Sequence, residues 1–260
     1  MCACQGWANW NYFGCDYNAT TIRDTADQLV ALGLRDVGYN TIIIQECITP
    51  AGHRDPKTGE PIPDPVKFPN GIDGLVDYIH SKGLKAGIYT DVGPETCAGY
   101  EGSYGHETID AQTYAKWGLD FVEEDACHHN ASMPPYSALY ARMRDALNAT
   151  GRPIEFYACV WGGDNVYEWG PKTANLWRTT GDILPRGGPG LGPPASWGNV
   201  MSNFRGNTLH PNATMPGAWQ ARRSSAEHLI TTKVPRCTAT AWILIVAQSS
   251  ANPRQVESVQ

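Results

Sequence analysis

The chain has 260 residues, a length that suits either two small domains or one α/β barrel of about 250 residues. Its net charge of −6 offers no basic surface for nucleic acid, and its longest apolar run, AWILIVA at 241–247, is far below the roughly 20 residues of a membrane span. We therefore expect neither a nucleic-acid nor a membrane partner, and 27 Gly, 19 Pro and 9 Trp indicate a loop-rich globular protein with aromatic surfaces.

Helix-like segments alternate along the chain with short apolar runs. The segments in which apolar residues recur every three or four positions predict helices at 20–34, 71–83, 106–117 and 134–149. The runs rich in β-branched and aromatic residues predict strands at 39–46, 85–91, 120–125, 154–160 and 176–182. Because strands and helices alternate without a sequence repeat, the pattern predicts βαβ units and a parallel sheet.

Polar residues at the strand ends distinguish between two α/β folds. No Gly-rich dinucleotide fingerprint follows a predicted strand, which argues against a doubly wound sheet. The predicted strands end instead in Gln45 and Glu46, Asp91, Glu123 and Asp125, and Asp182. In a barrel these ends converge on the carboxyl-end face, where barrel enzymes place their chemistry. We therefore predict a (β/α)8 TIM-type barrel with a site on that face.

Three acidic residues suggest what this site could do. Glu123 and Asp125 lie two apart on one strand, so their side chains share a face, and Asp182 ends another strand. Two carboxylates from different strands in a cleft lined by Trp and Tyr suit glycoside hydrolysis. A carboxylate metal site and a purely structural role remain open on this pattern. His128 and His129 are adjacent and no Cys-X-X-Cys accompanies them, so we predict no metal and no other cofactor.

Cysteines and glycosylation sequons point to the secretory route. The chain has eight cysteines and four Asn-X-Ser/Thr sequons, at Asn18, Asn130, Asn148 and Asn212. The first residues, MCACQGWANW, contain neither a basic segment nor an apolar core, so we predict no signal peptide in this chain. The expected location is nevertheless secreted or extracellular. The oligomeric state has no signal in the sequence.

Four motifs resemble glycoside hydrolase family 27, the α-galactosidase and α-N-acetylgalactosaminidase family. They are GWANWNYFGC (6–15), FPNGIDGLVDYIHSKGLKAGIYTDVGPETC (68–97), YGHETIDAQTYAKWGLDFVEEDAC (104–127) and LWRTTGDI (176–183). The resemblance implies a (β/α)8 barrel followed by an antiparallel β domain. It also implies hydrolysis of a carbohydrate with retention through a covalent glycosyl enzyme, without a metal.

The resemblance also assigns roles to individual residues. Asp125 matches the family nucleophile and Asp182 the general acid/base. The positions that match sugar-contacting residues are Trp10, Tyr89 and Arg178. The cysteines that match two family disulfides are Cys15 with Cys47 and Cys97 with Cys127.

The sugar-recognition positions depart from the family pattern. Gln45 and Glu46 stand where the family has two aspartates for the galactose 4- and 6-hydroxyls, and Val160 replaces a glutamate for the 2-hydroxyl. Glu123 replaces a lysine and should raise the pKa of Asp125 by like-charge repulsion. The expected function is α-galactosidase-like hydrolysis of terminal α-D-galactosyl or related residues. The alternatives are a changed specificity such as β-L-arabinopyranosidase, and a catalytically silent carbohydrate-binding relic.

The C-terminal part departs from the family altogether. Counting GWANW as the first strand, only strands 1–6 are recognisable, so we predict an incomplete barrel over 1–219 without the C-terminal β domain. Residues 220–260 match nothing in the family and are predicted to be an unrelated tail, frame-shifted or disordered. The stretch PRGGPGLGPP (185–194) is predicted to be a flexible linker.

Overall fold

The computed structural model describes residues 5–183, 196–221, 223–224 and 242–243. The parallel strands of its main sheet, in chain order, are β1 (Gln5–Ala8), β2 (Tyr39–Ile44), β3 (Lys85–Asp91), β4 (Phe121–Asp125), β5 (Glu155–Cys159), β6 (Leu176–Arg178) and β7 (Trp219–Ala221). The helices are α1 (Trp10–Phe13), α2 (Ala19–Ala31), α3 (Gly71–Ser81), α4 (Glu107–Lys116), α5 (Tyr136–Ala149), α6 (Val166–Thr173) and α7 (Trp197–Thr208), with short 3₁₀ helices η1 (Arg35–Val37) and η2 (Pro211–Ala213).

The strand order in the sheet is the order along the chain, from β1 to β7. The sheet curls into part of a barrel with helices packed on it, so the predicted incomplete (β/α)8 fold is confirmed. Closing a barrel requires strands that continue this tilted, parallel ladder around to β1.

The main sheet contains one strand more than the six that the sequence predicts. β7 pairs in parallel with β6, from Leu176 opposite Trp219 to Arg178 opposite Ala221. The predicted boundary between 219 and 220 therefore falls inside a strand. A second pair, β8 (Arg223–Ser224) and β9 (Trp242–Ile243), is also parallel, and β9 lies beside β1. The rest of 220–260, and the linker predicted at 185–194, lie outside the described residues.

Two apolar layers hold the sheet in place. A small cluster inside the curl contains Ala8, Ile43, Phe121, Tyr157 and Leu176. A larger cluster lies between the sheet and the helices, where α3 buries Ile72, Leu75, Val76 and Ile79 at the helical spacing seen in the sequence. Each fully buried side chain of this size contributes roughly 1.5–3 kcal/mol, so the helix positions are fixed mainly by this layer.

The predicted helices are confirmed, with ends set by local chemistry. The Asn18 side chain accepts hydrogen bonds from the backbone N–H groups of Thr20 (2.9 Å) and Thr21 (3.1 Å) and so begins α2. Gly83 has φ 69°, a left-handed conformation that suits glycine, just after α3. None of the helices in the described ranges is long and apolar enough to cross a membrane.

Two strands end earlier than predicted. β6 ends at Arg178, so the prediction that Asp182 closes this strand is wrong, and Asp182 lies four residues beyond it in a loop. β2 ends at Ile44, because Glu46 (φ 41°) and Cys47 (φ 58°) adopt left-handed conformations that a strand does not contain. Both loops leave the carboxyl-end face of the sheet.

Candidate active site

The ends of β3, β4 and β5 bring polar side chains to one level of the sheet. Asp91 is opposite Asp125, and Asp125 is opposite Cys159, in the parallel register. Since β-strand side chains alternate between two faces, Glu123 and Asp125 lie on the inner face and Glu124 on the helix-facing side. The strand-end convergence that the sequence predicts therefore holds for this part of the sheet.

Asp125 is buried and held by two hydrogen bonds. Its side chain accepts one from the Tyr89 hydroxyl (2.7 Å, to Oδ2) and one from the backbone N–H of Ala126 (2.9 Å, to Oδ1). Burial raises the pKa of Asp125, while the bond from Tyr89 and the positive charge of Arg178 act in the opposite direction. The direction of the pKa shift agrees with the prediction, but its main cause is burial and not the charge of Glu123.

Arg178 bonds to one predicted catalytic carboxylate, Asp182, and its positive charge acts on the other, Asp125. Its side chain is completely buried at the end of β6, and Nη2 donates to Oδ1 of Asp182. Its Nη1 lies 3.4 Å from the thiol sulfur of Cys159. Asp182 keeps 34 % of its side chain exposed. The guanidinium therefore ties the carboxylate of Asp182, in its loop, to the end of β6.

The residues that replace the family's sugar-binding aspartates are also buried. The side-chain amide of Gln45 donates to Oε2 of Glu123, and each residue is only 2 % exposed. Glu46 accepts hydrogen bonds from the Thr96 hydroxyl (2.6 Å) and the backbone N–H of Ala98 (3.2 Å). Burial raises the pKa of Glu46. The Gln45 side chain thus bonds to β4 through Glu123, whereas Glu46 bonds to the loop after β3.

Trp10 lies beside this group through its neighbour Asn9. The Asn9 side chain accepts from the backbone N–H of Gln45 (2.8 Å) and donates to the Gln45 carbonyl (3.2 Å). Trp10 begins α1 and is half-buried against the main core. These two hydrogen bonds hold the end of β1 next to the end of β2. Trp10, which follows Asn9, is thereby placed beside the same strand ends.

Three residues at or just after the ends of β3 and β5 have no chemical role in the sequence predictions. Asp91 was singled out only as a strand end, yet it is fully buried and accepts hydrogen bonds from the backbone N–H groups of Gly93 (2.7 Å) and Cys127 (2.9 Å). Burial, followed by the negative charge of Asp125, raises the pKa of Asp91 to about 9. Cys159 is a buried free thiol, and Trp161 is 39 % exposed with a left-handed φ of 53°. Cys159 is the last residue of β5, and Trp161 follows it by two positions. Their place at the end of a predicted strand was the one feature of the sequence that could have marked them as site residues.

Both predicted disulfides are present. Cys15 is joined to Cys47, and Cys97 to Cys127, the latter linking the loops that follow β3 and β4. In the described ranges, one group of side chains has the spacing of metal ligands, namely Asp91, Cys97 and Cys127. Because Cys97 and Cys127 form a disulfide, neither sulfur is the thiolate that a metal ion would bind. His129 shares a ring-nitrogen hydrogen bond with the Pro134 carbonyl (2.8 Å).

Comparison with known proteins gives consistent matches. The sequence model of a family described as alpha galactosidase A matches residues 2–185. A probable alpha-galactosidase from Dictyostelium discoideum is 46 % identical over 200 residues, 77 % of this chain and 48 % of that protein. Alpha-galactosidase A from Cellvibrio japonicus is 48 % identical over 181 residues, 70 % of this chain and 44 % of that protein. The chain thus spans about half the length of these relatives.

Solved structures share the fold. Alpha-galactosidase I from Mortierella vinacea superposes with a TM-score of 0.75 and 35 % identity, over 84 % of this chain and 57 % of that one. A β-L-arabinopyranosidase from Geobacillus stearothermophilus gives a TM-score of 0.69 over 84 % of this chain and 60 % of that one, with 20 % identity, a likeness of fold alone.

Proposed function

This chain belongs to the alpha galactosidase A family, and from that membership we propose that it is a retaining glycoside hydrolase that removes terminal α-D-galactosyl residues from oligosaccharides or glycoconjugates. The observation that carries the proposal is the arrangement of Asp125, Arg178 and Asp182 at the carboxyl-end face of the sheet. One carboxylate is rigid and buried, and the other is partly exposed on a loop, with a guanidinium that acts on both.

The two carboxylates suit a double displacement. Ionised Asp125 attacks the anomeric carbon while the bond to the leaving oxygen breaks, and Asp182 gives its proton to that oxygen. Asp182, now a carboxylate, then takes a proton from water as the water attacks the anomeric carbon. The bond to Asp125 breaks, and both side chains return to their starting states.

Tyr89 and Arg178 support the ionised state of Asp125 in this mechanism. The Tyr89 hydroxyl donates to the carboxylate, and Arg178 adds a positive charge, so both oppose the effect of burial. Burial itself strengthens these interactions, because few water molecules screen them. Asp182 remains accessible to water, which the second step requires.

A changed sugar specificity is the second candidate, and the Gln45–Glu123 contact favours it. Gln45 and Glu46 are each one methylene longer than the aspartates that the family has at these positions, and Gln45 is buried against Glu123. The added length of Gln45 and Glu46 falls at the positions that bind the galactose hydroxyls in the family, so a sugar without the exocyclic CH2OH group, such as β-L-arabinopyranose, suits the altered positions.

We infer a secreted location from two observations. Two disulfides lie at the carboxyl-end face, and the four sequon asparagines, Asn18, Asn130, Asn148 and Asn212, are all exposed. Disulfides form and persist in oxidising compartments, and glycosylation requires an accessible asparagine.

The proposed function is tested by turnover of p-nitrophenyl α-D-galactopyranoside and p-nitrophenyl β-L-arabinopyranoside by the full chain. We expect release of nitrophenol from the galactoside, and an Asp125→Asn variant that is slower by at least about a thousandfold because the nucleophile is lost. Preference for the arabinoside would support changed specificity. Turnover of neither substrate, or equal activity of the variant, would contradict the assignment and favour a silent carbohydrate-binding protein.

A further inference from the structure

One face of α7 lies against the segment that leads to Asp182. Asn203, Gly206 and Asn207 are spaced by three and four positions, so they lie on the same side of the helix. The segment 179–183 follows β6 directly but contains no helix or strand. Because this segment belongs to no strand ladder, its position depends on the groups packed around it.

The helix face and the segment are in contact at three consecutive positions. The contacting pairs are Thr179 with Asn207, Thr180 with Gly206, and Gly181 with Asn203. The first and last pairs are hydrogen bonds, whereas at the middle pair a Cβ on the glycine would lie 2.8 Å from Cγ2 of the threonine. The glycine therefore allows the helix to approach the segment closely.

The hydrogen bond from Asn203 acts on the peptide unit of Asp182 itself. Nδ2 of Asn203 donates to the carbonyl of Gly181 (3.1 Å), and this carbonyl belongs to the peptide unit that contains the N–H of Asp182. Because a peptide unit is planar, a bond to its oxygen fixes the orientation of the whole unit. The bond therefore restrains the backbone atoms from which the Asp182 side chain projects.

Apolar burial does not explain the position of α7. None of its 12 residues is buried. Helices in proteins are stabilised mostly by packing an apolar face against the core. This helix instead presents amide side chains and a glycine to the segment before Asp182.

Asp182 is thus held in two ways. Nη2 of Arg178 bonds to its carboxylate, and Asn203 bonds to its peptide unit. A general acid must lie within hydrogen-bond reach of the oxygen that it protonates, and a misplacement of about 1 Å can cost about a hundredfold in rate. We propose that Asn203 is a positioning residue that holds Asp182 at the leaving oxygen. This inference rests on the proposed hydrolase function and extends its machinery to α7.

The test compares two galactosides that differ in their need for an acid. Fluoride leaves α-D-galactosyl fluoride with little help from a proton, whereas the methoxy oxygen of methyl α-D-galactopyranoside must be protonated as it leaves. We expect Asn203→Ala to lower kcat/KM for the methyl galactoside by about tenfold and to keep that for the fluoride within about twofold of the parent. Ser202→Ala, at an exposed position of the same helix, is the matched control and should change neither value.

A measurement without turnover separates this proposal from the proposed function. The NMR order parameter of the Asp182 backbone amide reports fast motion of this residue. We expect a lower order parameter in Asn203→Ala and the parent value in Ser202→Ala. If this difference is found but the parent hydrolyses neither galactoside, the hydrolase function is overturned and the anchoring of Asp182 by Asn203 is supported. An unchanged order parameter, or equal effects of Asn203→Ala on the two galactosides, would overturn the positioning role.

Discussion

The hydrogen bond from Tyr89 to Asp125 links one aromatic side chain to the ionisation of the predicted nucleophile. Both residues are 5 % exposed, so little water replaces a lost partner. A buried hydrogen bond to a charged group contributes about 1.5–3 kcal/mol. The bond stabilises the charged form of Asp125 and thereby lowers its pKa against the larger effect of burial.

We therefore expect Tyr89→Phe to shift the acid limb of the kcat/KM profile to higher pH. Without the donated hydrogen bond the pKa of Asp125 rises further, so a larger share of the protein carries the protonated, unreactive acid at a given pH. The measurement is kcat/KM for α-D-galactosyl fluoride across the acid range. Tyr140→Phe is the control, because its hydroxyl bonds to the backbone carbonyl of Glu124 on the helix-facing side. Coincident acid limbs for parent and Tyr89→Phe would contradict this coupling.

Among the elements, the loops after β3 and β4 form the wall of the site around Asp91. The Cys97–Cys127 disulfide joins these loops across 30 positions of sequence, and the backbone N–H of Cys127 donates to Asp91. The Cys15–Cys47 disulfide closes a similar stretch of 32 positions near the end of β2.

Replacing Cys97 and Cys127 together by alanine should lower the free energy of unfolding by roughly 3–4 kcal/mol, the loop-closure entropy for such a separation. Urea unfolding measures this change. The Cys15/Cys47 double variant should lose a similar amount, since its loop is almost the same length. Stability unchanged in both double variants would show that these loops are held by other contacts.

The start of α2 depends on Asn18, which is also a sequon residue. Asn18→Ala should lower the free energy of unfolding by about 1 kcal/mol, because the N–H groups of Thr20 and Thr21 lose their acceptor. Thr20→Ala removes the same sequon but keeps the cap. In protein made without glycosylation only Asn18→Ala should unfold at lower urea concentration, and equal unfolding of the two variants would contradict the capping role.

Across the whole molecule, buried acids make stability depend on pH. Glu124 is 1 % exposed, and its Oε2 has no hydrogen-bond partner. Burial, with the negative charges of Asp91, Glu107 and Asp110, raises its pKa well above the ordinary value. The folded chain therefore keeps a proton on Glu124 that the unfolded chain releases above about pH 4.3.

We expect the free energy of unfolding to fall as pH rises above the unfolded carboxyl pKa of about 4.3, by about 1.4 kcal/mol per pH unit for each retained proton. Asp91 acts in the same direction up to its folded pKa of about 9. Glu124→Gln should reduce the slope of the free energy of unfolding against pH by the contribution of one proton. Glu95→Gln, at an exposed position, should leave this slope unchanged. Urea unfolding at several pH values measures both slopes, and identical slopes for parent and Glu124→Gln would rule out a retained proton.

Much of the fold could be predicted from residue order. The apolar periodicity of α2 to α5 and the β-branched runs of β2 to β5 are local patterns, and the structure confirms them. β7 was missed because its three residues are too short for a periodic pattern, and it exists through its pairing with β6. α6 and α7 contain Gly and Pro or lack a clear apolar stripe, so sequence periodicity did not reveal them.

The sequence by itself determined the parallel α/β architecture, the family and the identity of the two candidate catalytic aspartates, because these depend on local patterns and motifs. The tertiary structure alone decided the environment of each carboxyl group: the bond from Tyr89 to Asp125, the Arg178 contact with Asp182 in a loop, the Gln45–Glu123 pair and the raised pKa of Asp91. Burial and hydrogen bonding depend on residues distant in sequence, and these contacts arise only when the strands are side by side.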